Sequence, residues 1–290
     1  MNNGKIGLCL TGGGARGIGQ AGQIKAFTDL KLEYDMLVGC SVGSLNGTLL
    51  HQGEQEKIIP LWKNLKQSDI YTWMPWDIFK PLTDKACLYD SSPLEKTIRS
   101  HVDFEKIKAN PKPFYIGCTD LKRRRNLVLP ATDMLDQEEY IQFLKGSSSP
   151  PIFFSPANFR GSELGDGGIS DNFNIETLRD NGCDTIIVLY PTNSPLDPKT
   201  NVKEMVDALV LASTNTLLCK EIKAIDRINS LIEIADKENN TIKKINLVVI
   251  QPNVPIDVDL LDFNYKNTKL TREDLLQIGY DSAYNILKNL

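Results

Sequence analysis

Histidine is almost missing from this chain: His51 and His101 are the only two in 290 residues. Any reaction that needs an imidazole must use one of these positions, and a zinc or other His-rich metal centre is disfavoured. Long apolar runs are missing too. None approaches the ~20 residues that a membrane-crossing helix needs, so any contact with a bilayer is expected to be peripheral. The chain opens Met1-Asn2-Asn3-Gly4-Lys5 and passes through a short apolar run, Ile6 to Leu10, straight to Gly12–Gly14. That run is too short for the core of a signal peptide, so export is not expected and a cytoplasmic location is. Cys9, Cys40, Cys87, Cys118, Cys183 and Cys219 are scattered, with no CxxC. They read as free, mostly buried thiols of a reducing compartment. Positive charge is not in excess either: the formal net charge is −4, which argues against a nucleic-acid binder driven by phosphate neutralisation.

What is present fits a globular chain able to bury a full core, with 41% hydrophobic and 24% charged residues. Short β-branched or apolar runs stand at Lys5–Leu10, Met36–Val38, Phe114–Cys118, Thr185–Tyr190 and Ile245–Ile250. Each has the length of a buried parallel strand and little alternation, as expected when both faces of a sheet are covered. Helical stripes lie between them, over Arg16–Leu30 and Val202–Ile234. Thr271 and Asp274 have capping-box spacing, with Leu270 and Leu275 as a hydrophobic staple, and predict a last helix. Alternating strands and helices predict an α/β fold, a central mostly parallel sheet flanked by helices. With no repeat and no low-complexity linker, one domain over residues 1–290 is expected.

Three motifs carry chemistry. The first strand leads into Thr11-Gly12-Gly13-Gly14-Ala15-Arg16-Gly17. Consecutive glycines allow a tight turn that gathers several N–H groups, with Gly13 expected at positive φ, and the next helix adds its positive dipole end. Such a turn holds an anion, either a phosphate or the oxyanion of an acyl transfer. Gly12, Gly14 and Gly17 also satisfy GxGxxG, but the next strand does not end in the acidic residue that a dinucleotide site wants. The second motif, Gly39-Cys40-Ser41-Val42-Gly43, is the chain's only GxSxG and lies between a strand and a helix. Small residues at Gly39 and Gly43 permit the sharp elbow that lifts Ser41 to a helix N-terminus. In the third, Gly165-Asp166-Gly167-Gly168, the glycines let a carboxylate approach another backbone closely, although the tripeptide alone is also an ordinary turn.

The three motifs in this order resemble the patatin-like phospholipase family, with its GGGxRG turn, GxSxG serine and DG[GA] aspartate. Ser147-Ser148-Ser149-Pro150-Pro151-Ile152-Phe153-Phe154-Ser155-Pro156 is similar to a further family stretch, and the resemblance runs from about residue 5 to residue 190. Cys40 departs from the small residue or Thr expected there. The resemblance implies a three-layer sandwich and a Ser41–Asp166 dyad. Ser41 attacks an ester carbonyl, Asp166 takes its proton, and an acyl-enzyme forms. It also implies an oxyanion hole within Gly12, Gly13, Gly14, Ala15, Arg16 and Gly17, with Arg16 holding the turn or adding positive field. An acyl lipid is the implied substrate, with no cofactor and no metal. Phospholipase A, lysophospholipase, lipase, thioesterase and acyltransferase chemistry all remain open, as do a nucleotide-binding protein and a catalytically silent lipid-binding module.

The scarcity of histidine agrees with a dyad. His51 follows Ser41 at the far end of one helix, roughly 15 Å away at 1.5 Å per residue, and His101 lies outside any motif. Trp62, Trp73 and Trp76 fall in one aromatic segment with Tyr71, Met74, Ile78 and Phe79. It is expected to cap the core, with interfacial docking as the alternative. Lys122-Arg123-Arg124-Arg125 is expected at a solvated hairpin tip.

Overall fold

A computed structural model describes residues 4–73, 87–193, 202–235 and 244–290. In chain order the strands are β1 (Ile6–Leu10), β2 (Met36–Cys40), β3 (Thr72–Trp73), β4 (Tyr89–Asp90), β5 (Phe114–Asp120), β6 (Arg125–Pro130), β7 (Ala157–Phe159), β8 (Ser162–Asp166), β9 (Thr185–Leu189) and β10 (Asn246–Ile250). The helices are α1 (Gly17–Asp29), α2 (Val42–His51), α3 (Ile58–Asn64), α4 (Ser92–His101), α5 (Phe104–Ala109), α6 (Gln137–Ser147), α7 (Ile175–Asp180), α8 (Val202–Ala235) and α9 (Arg272–Leu287).

Five neighbours, β10-β9-β1-β2-β5, pair in parallel and form the centre of the main sheet. These are the five runs expected from their apolar continuity. Successive residues of β1 point to opposite faces, as a strand's two-residue period requires. Leu8 and Leu10 enter one hydrophobic core with Ile18, Leu49 and Leu144, while Cys9 enters a second with Val38, Ile175, Val188 and Leu218. Helices therefore cover both faces, with α1, α2 and α6 on one and α7 and α8 on the other. The expected α/β architecture is present.

Beside β6, the returning strand of the expected hairpin, β7 and β8 were not expected, and all three add antiparallel pairing at the β5 side. Their geometry sets the site. β6 pairs with β5 over Tyr115–Asp120 along one edge. The other edge of β5 is shared: β2 occupies it up to Cys40↔Gly117, and β8 takes over at Cys118↔Asp166. The end of β2 and the end of β8 consequently meet on consecutive residues of one template strand.

The hairpin tip lies between β5 and β6 and is solvent-facing at Lys122, Arg123 and Arg124, as expected, while Arg125, expected in the tip, opens β6. The cap of α9 is as expected as well: Thr271 N–H donates to Asp274 Oδ2 at 2.8 Å and Asp274 N–H to Thr271 Oγ1 at 3.1 Å. Of the tryptophans, Trp62 is buried in the core, whereas Trp73 is 58% exposed. Met74, Trp76, Ile78 and Phe79 lie outside the described residues.

Candidate active site

Ser41 stands between the last residue of β2 and the first of α2 at φ 50, ψ −128. A positive φ is strained for a residue with a side chain and marks the sharp elbow. The elbow needs close backbone approach beneath it: a Cβ on Gly43 would lie 2.0 Å from the Leu10 carbonyl oxygen, and one on Gly39 2.7 Å from Ser44 Cα. Hydrogen bonds hold the strained residue in place. Its N–H donates to Ser147 Oγ at 2.9 Å, Ser147 Oγ donates to the Gly117 carbonyl at 2.6 Å, and Ser44 Oγ donates to the Ser41 carbonyl at 2.6 Å.

Asp166 ends β8 and is fixed through its own backbone. Its N–H donates to the Ser149 carbonyl at 2.8 Å and its carbonyl accepts from Thr119 Oγ1 at 2.7 Å. Ser41 Oγ donates to Asp166 Oδ2 at 2.6 Å, and Gly168 N–H donates to Oδ1 at 2.8 Å. Gly167 and Gly168 form the short turn that turns this N–H back onto the carboxylate. Burial raises the Asp166 carboxyl to about 6, against the lowering effect of its bonds from Ser41 and Gly168. Burial first, then the Asp166 charge, pushes the neighbouring Cys40 thiol up. Cys40 is therefore held as a neutral thiol.

The glycine turn lies beside this pair, but its donors are fewer than the motif suggests. Gly12 N–H donates to Asn172 Oδ1 at 2.7 Å, Ala15 N–H to the Leu260 carbonyl at 2.8 Å, and Arg16 N–H to the Gly13 carbonyl at 3.1 Å. Gly17 N–H is turned to the Ala15 and Gly14 carbonyls. Gly13 and Gly14 are the two whose N–H groups have no acceptor among the described residues. The expected left-handed position is also corrected. Gly13 is extended at φ 167, and Gly14 takes φ 54, where a Cβ would lie 2.1 Å from the Leu260 carbonyl oxygen. Arg16 is fully buried and pairs through both terminal nitrogens with Asp207 of α8, Nη1 to Oδ1 at 2.9 Å and Nη2 to Oδ2. The pair ties the turn to α8.

Neither histidine reaches the pair by a hydrogen bond. His51 ends α2 with Nδ1 3.3 Å from Tyr34 Oη and 3.4 Å from Asn110 Nδ2, and burial lowers it to about 4. His101 ends α4 with Nδ1 2.9 Å from the Thr97 carbonyl. An apolar cavity of about 100 Å³ opens onto Ser41 and Asp166 and runs among Leu45, Leu49, Trp62, Ile98 and Leu144. Ser147, Asn172 and Asp207 support the site without having been singled out. Ser147 lies inside a motif stretch and Asn172 four residues after Gly168, but Asp207 sits 191 residues from its partner with nothing in the sequence to announce it.

Residues 8–179 match the profile described as Patatin-like phospholipase. The lysophospholipase nte1 of Aspergillus niger is 26% identical over 185 residues, 63% of this chain and 12% of that protein. The lysophospholipase NTE1 of Cryptococcus neoformans is 28% identical over 187 residues, 64% of this chain and 11% of that protein. The chain thus spans about one ninth to one eighth of the length of these relatives. VipD from Legionella pneumophila shares the fold at 16% identity, with a TM-score of 0.51 over 99% of this chain and 67% of that one. With the motif-bearing part of the sequence inside the matched residues, the chain belongs to the patatin-like phospholipase family.

Proposed function

We propose that the chain is a lipid acyl hydrolase that works through Ser41 and Asp166. The observation that carries this reading is the 2.6 Å hydrogen bond from Ser41 Oγ to Asp166 at the mouth of an apolar cavity. The acyl chain lies in that cavity with its carbonyl against Ser41. Asp166 accepts the hydroxyl proton as Ser41 Oγ bonds to the carbonyl carbon. The developing oxyanion is held by the N–H groups of Gly13 and Gly14, a type of donor worth ~3–4 kcal/mol each in other hydrolases. The proton passes to the departing alcohol, and water, deprotonated by Asp166, then releases the fatty acid.

A carboxyl raised to about 6 suits both steps. At neutral pH it is mostly ionised, yet basic enough to accept a proton. The substrate is a phospholipid or lysophospholipid, in keeping with the names of the relatives. Peripheral contact with the lipid surface is supported by exposed Ile152, in the loop after cavity-lining Pro150, and by exposed Ile169 beside the aspartate turn. Labelling by a fluorophosphonate probe tests the reading: the wild-type chain should be modified and Ser41→Ala should not. Equal labelling of the two, or turnover of a soluble acyl ester by folded Ser41→Ala, refutes it.

A further inference from the structure

Two cavities meet at Ser41. The apolar one takes the acyl chain. The second, of about 40 Å³, also touches Ser41 and Asp166, and is walled by Gly13, Thr192 and, from α8, Leu211 and Thr214. Thr192 and Thr214 are 3% and 1% exposed, and neither hydroxyl has a hydrogen-bond partner among the described residues. An unpaired buried hydroxyl is costly, and a native fold rarely leaves two beside one small space without a ligand to satisfy them. The acyl-transfer steps proposed above use neither.

The charge around this space selects the ligand. Among the described residues Arg16 is the one cation in its wall, and Asp207 neutralises it through both terminal nitrogens. Asp166, in the same wall, is an anion at neutral pH. A phosphate would meet repulsion without a free counter-charge, whereas an alcohol O–H both donates and accepts, as a threonine hydroxyl does. The small volume also excludes a second acyl chain.

We propose that this cavity is a hydroxyl-recognition subsite for the leaving-group side of the ester. Thr192 and Thr214 hydrogen-bond a free alcohol on the carbon next to the cleaved ester, so the enzyme favours monoacyl glycerolipids over diacyl ones. This rests on the hydrolase reading and adds two specificity-determining residues to it.

The test compares a monoacyl glycerophosphocholine, its central hydroxyl free, with the deoxy analogue of the same chain length, both below their aggregation concentrations. The wild-type kcat/KM should favour the hydroxylated ester by about tenfold, the usual effect of one or two neutral hydrogen bonds. In Thr192→Val with Thr214→Val, which keeps shape and removes both hydroxyls, that ratio should fall towards one. A wild-type ratio near one overturns the subsite, and so does a folded double variant that keeps the full preference. If the double variant does not fold, the wild-type ratio and the single Thr192→Val variant decide the matter in the same way. A wild-type enzyme inert to both esters and unlabelled by the fluorophosphonate overturns the hydrolase reading and the subsite with it. An enzyme that labels and cleaves both esters equally overturns the subsite alone.

Discussion

As the proposed base, Asp166 meets two opposed demands: its carboxylate must be ionised to act, yet its surroundings resist ionisation. Its folded pKa of about 6 lies above the unfolded value. Between the two, the folded state binds more protons than the unfolded one, so this group's contribution to stability declines as pH rises. The loss is complete above the folded pKa and amounts to about 3 kcal/mol. Asp166→Asn keeps an acceptor for Ser41 while removing the charge. It should be nearly inactive yet unfold at higher temperature than wild type at about pH 7, with the gain fading towards about pH 4. Calorimetry across that range checks this, and a variant less stable than wild type at neutral pH refutes it. Activity should follow the same group in the opposite sense, with kcat/KM on a soluble ester rising as pH passes through about 6 and then levelling. Exchanging His51 and His101 together for Asn should leave that profile in place, because neither bonds to the dyad.

At the level of elements, the glycine turn depends on Gly14 and on its tie to α8. Gly14→Ala places a Cβ 2.1 Å from the Leu260 carbonyl at a left-handed φ. It should lower kcat on the order of a hundredfold by displacing an oxyanion donor. Gly13→Val, where a Cβ meets Pro191 Cγ at 3.3 Å and Arg16 Cβ at 3.6 Å, should be milder. A reversed order in kcat would show that the donors lie elsewhere. Breaking the buried Arg16–Asp207 pair from one side strands a charge. Asp207→Leu should therefore cost about 3–5 kcal/mol in denaturant unfolding, and Arg16→Met combined with Asp207→Leu should cost less. The sequence announced parts of this level unevenly. β1, β2, β5, β9 and β10 are legible because strands covered on both faces must be apolar throughout. β7 and β8 are not, being three and five residues of mixed polarity around glycines. Ser41 and Asp166 stand out because their backbones need flanking glycines. Three glycines in a row cannot say which one turns left-handed or whose N–H stays free, since the Leu260 and Asn172 acceptors come from distant parts of the chain.

Across the whole molecule, the acyl cavity is a gap between helices α2, α3, α4 and α6, so its depth is set by side chains far from the chemistry. Ile98→Trp, on the α4 wall, should fill part of that gap and shift preference towards shorter acyl esters. A chain-length profile unchanged from wild type would place the acyl group elsewhere. The shared edge of β5 has a consequence in time rather than space. Ser41 and Asp166 are 125 residues apart and meet only where β2 hands that edge to β8. On a ribosome adding about 5–20 residues per second, the serine emerges roughly 6–25 s before its base. If Ser41 and Asp166 act as proposed, the growing chain throughout that interval carries a nucleophile with nothing to deprotonate it, and passes its synthesis unable to attack nearby lipid.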